Sequence, residues 1–324
     1  MLPRRSYRGR FAPTPSGDLH LGGARTALCA WLDARKAGGQ FLIRIEDLDA
    51  PRAAPGAEAR ILEDLRWLGL AWDEGPDTGG AYEPYRQSER IARFAEVVAQ
   101  LVHEGKAYPC FCSRREIAMA ATAPHGPLDD GPRYPGTCRT LTREQVAERA
   151  RLRPPSIRLR VEPGSVDWTD RVHGDRSDDV ASTVGDFVLR RADNVPAYQL
   201  AVVVDDAEMR ISDVVRADDL LSSTPRQILL SEALGFLPPR YAHVPLVNGP
   251  DEVRLSKRHG AIGLRALRER GIDSAALVGA LAATLQLVAP GTRTTPRELL
   301  PLFDLGKLPR ESTRIDPETL LCPA

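Results

Sequence analysis

A segment near the N-terminus contains residue types that could bind a nucleotide. This histidine–glycine segment, PTPSGDLHLGG at residues 13–23, includes His20, Gly22 and Gly23. It lies between a strand-like and a helix-like stretch, so it is expected at the carboxyl end of a sheet, where nucleotides usually bind. The glycines would let a ligand approach the backbone closely, and His20 could donate to a phosphoryl oxygen. The spacing fits neither Walker A nor GxGxxG, and a turn that only caps a helix is the alternative.

A second polar segment lies late in the chain. This lysine segment, RLSKRHG at residues 254–260, contains Ser256 and Lys257. A lysine in a loop after a strand can bind polyphosphate and offset charge as it develops. Only four of the 44 basic residues are lysines. Because an ammonium group and a guanidinium group are not equivalent, this favours a specific need for Lys257. A solvated basic turn is the alternative.

Three cysteines in the middle of the chain could bind a metal. Cys110 and Cys112 are separated by one residue, and Cys138 follows a loop rich in Pro, Gly and Asp. Zinc in structural sites prefers four tetrahedral ligands with thiolates among them, and three thiols on a short irregular stretch favour a metal. From residue chemistry the fourth ligand stays open, with His125 as the usual choice. A buried cysteine pair without metal is the alternative.

The first 105 residues alternate between strand and helix patterns. Strands are predicted at 9–12 and 40–45, and helices at 21–37, 57–68 and 88–104. Such alternation implies a parallel sheet with crossover helices, and therefore an α/β fold.

Residues 106–175 interrupt this pattern and look like an insertion. The alternation resumes with predicted strands at 186–191, 201–206 and 243–246 and a helix at 224–234. The C-terminal region after the lysine segment has a helical pattern.

Charge and composition narrow the possible classes. Lys+Arg and Asp+Glu are both 44, which speaks against a chain-wide grip on a polyanion but allows a local basic face. The five cysteines are too unevenly spaced for a disulfide framework, and neither a secretory signal nor an apolar run of membrane-spanning length is visible. These features predict a cytoplasmic protein without a membrane partner.

Taken together, the two segments resemble the HIGH and KMSKS signatures of class I aminoacyl-tRNA synthetases. Gly23 replaces the last histidine of HIGH, and Arg254 and Arg258 replace the ends of KMSKS. The resemblance spans roughly residues 8–260 and is closest to the glutamyl-tRNA synthetase family. The segments that support it are RFAPTPSGDLHLGGARTAL, FLIRIEDLD, AYQLAVVVDD, VVRADDL and RLSKRHG.

This resemblance implies an ATP-dependent enzyme with a Rossmann-type doubly wound parallel sheet, a zinc-containing insertion and a short C-terminal helical region. His20 and Lys257 would stabilise charge on the phosphates of Mg²⁺-bound ATP, and Gly22, Gly23 and Ser256 would help to bind it. The expected divisions are residues 1–108 and 180–250 for the two halves of the catalytic domain, 109–179 for an acceptor-binding insertion with zinc, and 251–324 for the KMSKS-like loop and helical region.

The resemblance also implies a pocket for L-glutamate. A buried arginine can pair bidentately with a carboxylate, Glu46 can hold an ammonium group, and Tyr198 adds a hydroxyl. An ordinary salt bridge for Glu46 and a half-buried core ring for Tyr198 are the alternatives. The expected pocket residues are Arg10, Phe11, Ala12, Pro13, Thr14, Glu46, Tyr198 and Arg216.

Two features resemble one branch of the family, the glutamyl-queuosine tRNA(Asp) synthetases. The first is the pattern Cys110-x-Cys112 followed by Tyr134-x3-Cys138, which would make Tyr134 the fourth zinc ligand. The second is the short stretch after Arg258, which leaves no room for an anticodon-binding domain. The branch implies a monomeric enzyme that transfers glutamate to the queuosine base of tRNA(Asp).

Three other functions are alternatives to this one. A truncated glutamyl-tRNA synthetase would charge a tRNA 3′ end. A synthetase-derived binding or regulatory protein would lack transfer activity, which His20, Gly22 and Lys257 speak against. A nucleotidyltransferase that uses another acid would not be expected to contain the RIED and AYQLAVVVDD segments.

Overall fold

Parallel strands form the centre of the molecule in a computed structural model, which describes residues 6–120, 132–249 and 263–314. The strands of this part are β1 (Arg8–Phe11), β2 (Gln40–Ile43), β3 (Ala107–Cys110), β4 (Ser156–Leu159), β5 (Val166–Asp170), β6 (Gly174–Asp178), β7 (Val188–Arg190), β8 (Asp213–Ala217), β9 (Arg240–Val244), β10 (Val247–Asn248) and β11 (Thr313–Arg314).

The helices of the described residues occur along the whole of these ranges. They are α1 (Leu21–Lys36), α2 (Ala57–Trp67), α3 (Ile91–His103), α4 (Arg114–Ala120), α5 (Arg143–Leu152), α6 (Val180–Thr183), α7 (Tyr198–Glu208), α8 (Thr224–Ala233), α9 (Leu264–Glu269), α10 (Ser274–Thr284) and α11 (Pro296–Leu299).

The central sheet has six strands in the order β2-β1-β8-β9-β5-β6. Every pairing in it is parallel except that of β5 with β6. Neighbouring residues of one strand point to opposite faces, and here they join different cores. Phe41 and Ile43 pack with α1, α2 and α10, whereas Leu42 packs with α3, α7 and α8. Helices therefore cover both faces, and the predicted α/β fold with a mainly parallel sheet is confirmed.

The helix α1 connects β1 to β2 and brings the histidine–glycine segment to the carboxyl end of β1. Most of its residues are buried, because it packs both on the sheet and against the C-terminal helices α10 and α11. It ends before Gly38, whose φ of +64° favours glycine. The N-terminus of α1 therefore lies on the edge where β1 and β8 end together.

A separate antiparallel sheet, in the order β3-β4-β7, supports the cysteine-containing region. The strands of the two sheets do not separate at the expected boundary between residues 179 and 180. β5 and β6, expected within the insertion, join the central sheet, whereas β7, expected in the catalytic half, joins the small sheet. A stretch of irregular composition thus contributes strands to both sheets.

The expectation of a strand at 201–206 is wrong, because these residues lie in α7. The run from Gln199 to Asp206 is buried throughout, so its sequence shows no amphipathic period. Short, fully buried apolar runs do not distinguish a strand from a helix by their pattern, and the valines favoured the strand.

The C-terminal part returns to the centre of the molecule. Helices α9, α10 and α11 are short, and Thr313 in β11 pairs in parallel with Val247 in β10. Within residues 6–120, 132–249 and 263–314, no helix combines the length and apolarity needed to cross a membrane.

Candidate active site

His20 caps the N-terminus of α1, as the alternative interpretation of this segment expects, and it also lines a cavity. Its Nδ1 accepts a hydrogen bond from the Gly23 backbone N–H at 3.1 Å. In a neutral ring this places the proton on Nε2, which makes that atom a donor. A Cβ at Gly22 would lie 3.3 Å from the His20 Nδ1, and one at Gly23 only 2.9 Å from Leu19. Gly22 therefore leaves room for this ring, and Gly23 leaves room for the Leu19 side chain.

The chain returns to His20 immediately after the lysine segment. Gly263 forms an antiparallel bridge with His20, and the Leu264 N–H donates to the Leu19 carbonyl at 2.8 Å. Ser256 and Lys257 themselves lie outside the described residues, so their expected role stays a prediction.

An inner cavity of about 540 Å³ lies at the carboxyl ends of β1, β8 and β9. It brings together all of the described residues that the sequence predicts for the ATP and glutamate sites except Pro13, whose carbonyl accepts from the Glu46 N–H at 3.0 Å. Those that line it are Arg10, Phe11, Ala12, Thr14, His20, Gly22, Gly23, Glu46, Tyr198 and Arg216.

Arg216 is a buried cation held by uncharged groups. Its Nε donates to the His243 Nε2 at 2.9 Å, and its Nη1 donates to the Gln227 side-chain oxygen at 2.8 Å. The Nη2 donates to Thr224 Oγ1 at 2.8 Å and to the Leu220 carbonyl at 3.3 Å. Among the described residues no carboxylate pairs with this guanidinium. Because a buried charge normally needs a partner, the cavity is suited to an anionic ligand.

Arg10, in contrast, already has a carboxylate partner. Both oxygens of Asp206 accept from it, at 3.1 and 3.2 Å, and Asp206 also accepts from Arg44 at 2.6 Å. Arg44 then reaches Glu46, with 3.1 Å between its Nη2 and Oε1. Arg10 and Glu46 are thus fixed in the cavity wall by one ion network.

Burial and charge act in opposite directions on the carboxyl groups of this network. Burial raises the pKa of Glu46, although Arg44 and Arg10 oppose that shift. Burial would also raise the pKa of Asp206, but Arg10 and Arg44 outweigh it and lower the pKa below the usual range. Asp206 is therefore the carboxylate whose ionised form the network stabilises. The ionised form of Glu46 would be stabilised by a further cation, such as an ammonium group.

Comparison with known proteins agrees with this geometry. Residues 6–287 match the family described as tRNA synthetases class I (E and Q), catalytic domain. The chain belongs to this family of class I tRNA synthetases.

Two relatives named glutamyl-Q tRNA(Asp) synthetase match almost their whole length. That of Symbiobacterium thermophilum is 51% identical over 96% of this chain and 97% of its own length. That of Nitratidesulfovibrio vulgaris is 46% identical over 93% of both chains.

A crystal structure of a glutamate tRNA ligase from Elizabethkingia meningosepticum, in complex with its amino acid, matches the fold. It superposes with a TM-score of 0.84 at 30% identity, over 98% of this chain and 68% of that one. The predicted resemblance to the glutamyl-queuosine branch is confirmed, and the chain is a class I synthetase-like ligase.

A second, outer cavity of about 770 Å³ in this synthetase lies beside the first. Thr14, Glu46, Arg52 and Tyr198 line both cavities, and Tyr198, at the start of α7, is 37% exposed. At its far end the outer cavity reaches Cys110 and Cys112. A ligand in the outer cavity would thus face one in the inner cavity across Glu46 and Tyr198. The arginines that line it are Arg52, Arg114, Arg153, Arg158 and Arg191.

Three cysteines and a tyrosine converge beside β3, and we call them the cysteine cluster: Cys110, Cys112, Tyr134 and Cys138. The Tyr134 hydroxyl lies 3.3 Å from the Cys110 Sγ and 3.9 Å from the Cys112 Sγ. Cys112 and Cys138 lie 3.6 Å apart, which is too far for a disulfide. All three sulfurs lie within 4.8 Å of one another.

This spacing fits a tetrahedral metal. Ligands at about 2.3 Å from a zinc ion would lie about 3.8 Å from one another. Backbone and cationic groups surround the sulfurs in a way that suits thiolates. The Phe111 N–H donates to Cys138, and the Arg158 guanidinium lies 4.0 Å from the centre of the Tyr134 ring. Burial opposes ionisation of Cys110, yet the Tyr134 hydroxyl and Arg158 together lower the pKa of its thiol.

Three further residues with possible ligand atoms do not belong to the described cluster. His125 lies outside the described residues, as does Cys322 in the tail. Cys29 lies outside this cluster and is fully buried in α1.

Sequence reasoning missed four residues that hold the pocket in place: Arg44, Asp170, Asp206 and His243. Asp206 and Arg44 fix Arg10 and Glu46, and Asp170 and His243 lie behind Arg216. The charged residues of RIED and VVVDD, next to otherwise apolar runs, were a usable signal, because buried charges are seldom left unpaired. Nothing local marks Asp170, which is 73 residues from its partner.

Proposed function

We propose that this synthetase activates L-glutamate with Mg²⁺-bound ATP and transfers it to the queuosine base in the anticodon loop of tRNA(Asp). The observation that supports it most directly is the buried Arg216 guanidinium, which lines the same cavity as Glu46; this cavity shares four lining residues with an arginine-lined outer cavity. The names of its relatives agree with this choice.

Glutamate has two carboxylates and one ammonium group, and the inner cavity offers a match for each charge. The side-chain carboxylate would pair with Arg216, whose charge is otherwise uncompensated among the described residues. The ammonium would lie near Glu46, with the Tyr198 hydroxyl beside it. Arg10 keeps donors for a second anionic group, because Asp206 accepts only from its Nε and Nη2.

In the first step the α-carboxylate oxygen of glutamate attacks the α-phosphorus of ATP. The bond between that phosphorus and the bridging oxygen breaks, and pyrophosphate leaves. No protein nucleophile is needed, so positioning and electrostatics would supply the catalysis. His20, the N-terminus of α1 and Lys257 would stabilise the phosphate charge, with Gly22, Gly23 and Ser256 beside them.

In the second step a hydroxyl of the queuosine ring attacks the acyl carbon of the adenylate. The new ester forms, the acyl–phosphate bond breaks, AMP leaves, and the hydroxyl proton is lost to the phosphate or solvent. The outer cavity would hold the nucleotide, because its arginines can bind phosphates. Glu46 and Tyr198 are among the four residues at which it meets the inner cavity.

We further propose that the cysteine cluster binds Zn²⁺ with Tyr134 as fourth ligand. The ion would stabilise the small sheet and the wall of the outer cavity formed by Cys110, Phe111 and Cys112. Mg²⁺ would enter bound to ATP. Residues 109–179 as an acceptor-binding insertion, and 251–324 as the KMSKS-like loop and helical region, also remain proposals, as do a monomeric state and a cytoplasmic location.

Transfer of radiolabelled glutamate tests the function. The protein is incubated with ATP, Mg²⁺ and one of three RNAs: queuosine-modified tRNA(Asp), the same tRNA without queuosine, and tRNA(Glu). Label on the modified tRNA(Asp) alone is the expected result. Label on tRNA(Glu) alone would instead establish a truncated glutamyl-tRNA synthetase. Label on no RNA, with intact glutamate-dependent ATP–pyrophosphate exchange, would leave activation in place and exclude the proposed acceptor.

A further inference from the structure

Behind Arg216 lies a buried pair of titratable groups that the proposed chemistry does not use. His243, in β9, is fully buried, and its Nδ1 lies 2.6 Å from the Asp170 Oδ2. Asp170 ends β5 and is 1% exposed. Its carboxylate also accepts from the backbone N–H groups of Val172, at 2.9 Å, and His173, at 2.8 Å.

The hydrogen bonds fix one tautomer of His243. Arg216 Nε can only donate, so the His243 Nε2 at 2.9 Å must accept with its lone pair. The ring proton is then on Nδ1 and is donated to Asp170. Burial lowers the pKa of His243 to about 4, so the ring is neutral at neutral pH. A proton on Nε2 would place two donors against each other.

We propose that Asp170 and His243 are positioning residues that orient Arg216 towards the side-chain carboxylate of the amino acid while denying it a protein anion. This inference rests on the proposed function. An anionic residue in contact with Arg216 would compete with the substrate, whereas a neutral acceptor holds the guanidinium without compensating its charge. Asp170 acts through His243: it accepts the proton of Nδ1 and thereby keeps Nε2 as the acceptor for Arg216.

The remaining contacts of Arg216 follow the same pattern. Gln227 accepts from it and donates in turn to the Gln199 side-chain oxygen at 2.8 Å. Thr224, fully buried, lies 3.2 Å from the His243 Nε2 and accepts from Arg216. Amide, hydroxyl and imidazole groups thus fix three sides of the guanidinium, and each of them is neutral.

Variants at the two positions separate this role from simple packing. His243→Leu removes the acceptor, His243→Gln keeps an oxygen near the position of Nε2, and His243→Glu supplies an anion. Asp170→Asn keeps an oxygen for the backbone N–H groups, but its amide can donate to Nδ1 and drive the proton to Nε2. Each is assayed by glutamate-dependent ATP–pyrophosphate exchange.

The expected result is a selective rise in KM for glutamate. His243→Leu and Asp170→Asn should raise it roughly tenfold or more, and His243→Glu further, while KM for ATP stays within about twofold. His243→Gln should remain within a few-fold of the unaltered protein. In the His243→Gln background, Asp170→Asn should add little, because no tautomer remains to be fixed.

A role in packing alone would give a different pattern. Thermal unfolding would shift, KM for glutamate would not change selectively, and the two substitutions would be additive. If the variants gave this pattern while the unaltered protein catalysed glutamate-dependent ATP–pyrophosphate exchange, the positioning role would be overturned. The proposed function would not be affected.

Absence of glutamate-dependent exchange in the unaltered protein would instead overturn the proposed function. The tautomer can then still be tested by ¹⁵N NMR of histidine-labelled protein. A His243 proton on Nδ1, shifted to Nε2 by Asp170→Asn, supports the positioning pair, and a proton on Nε2 in the unaltered protein contradicts it.

Discussion

The backbone of Gly263 pairs with that of His20, so the chain leaving the lysine segment is anchored to the histidine–glycine segment. Residues more than 230 positions apart thereby meet at the N-terminus of α1. A Cβ at Gly263 would lie 3.1 Å from the Asp18 Cβ, closer than most side chains tolerate.

Gly263→Val should therefore disturb the nucleotide site. We expect KM for ATP in pyrophosphate exchange to rise several-fold, with KM for glutamate nearly unchanged, because the displaced pairing holds His20. Gly306→Val is the matched control, since a Cβ there meets only an Asp304 oxygen at 3.6 Å. Equal effects of the two substitutions on KM for ATP would contradict the anchoring role.

Removing the Arg216 side chain should weaken glutamate binding most. Arg216→Ala is expected to raise KM for glutamate by about 100-fold, because a charge-assisted pair in a buried site contributes about 3 kcal/mol. Arg240→Ala is the control, because Arg240 is mostly exposed and pairs with Asp213 at 2.7 Å at the opposite end of the neighbouring strand. An unchanged KM in Arg216→Ala would mean that another cation binds the substrate carboxylate.

The cysteine cluster predicts about one zinc ion per chain. Elemental analysis of the purified protein should find it, and Cys112→Ser should abolish it and lower the midpoint of thermal unfolding. Tyr134→Phe should retain three thiolates and bind zinc more weakly. Cys29→Ala is the control and should keep the metal, because Cys29 is fully buried in α1. Full zinc occupancy in Cys112→Ser would refute the site.

The outer cavity predicts a variant that loses transfer but keeps activation. Arg114 lines this cavity, whereas its neighbour Arg115 on α4 does not. Arg114→Ala should slow transfer to queuosine-modified tRNA(Asp) by roughly tenfold at low salt, with a smaller effect at high salt, because one phosphate contact is lost. Pyrophosphate exchange should not change. If Arg115→Ala slowed transfer equally, the effect would be that of general surface charge.

The sequence predicted the parts of this molecule whose signals are local. The crossover helix predicted at 21–37 and the strand predicted at 40–45 follow from apolar periodicity and from Gly38. The pocket residues Glu46, Tyr198 and Arg216 followed from the family resemblance, and the cavity contains all three.

Features that depend on tertiary contacts were not predicted. The run at 201–206 is a helix because it is buried on all sides, where β propensity has little influence. The partners of Arg216 lie on β9, on α8 and in the 3-10 helix after β8, and these positions form no pattern along the chain. The order of the strands in the sheet brings these residues together, because it places β9 between β8 and β5.

A buried carboxyl outside the site predicts a pH-dependent stability. Asp64 in α2 is 2% exposed, its Oδ2 has no hydrogen-bond partner in the described residues, and burial raises its pKa to about 6. Between these two pKa values the folded state binds more protons than the unfolded chain. The contribution of the protonated Asp64 carboxyl to the free energy of unfolding is therefore complete below the ordinary pKa of 3.8 and is lost as the pH rises through about 6.

Asp64→Asn should increase the free energy of unfolding by at least about 1 kcal/mol at pH 8, with a smaller gain at pH 5. Denaturant titrations at both pH values measure it, with Glu63→Gln as the control, because the Glu63 side chain is 60% exposed. A gain that is equal at pH 5 and pH 8 would show that the charge of Asp64 is not its cause.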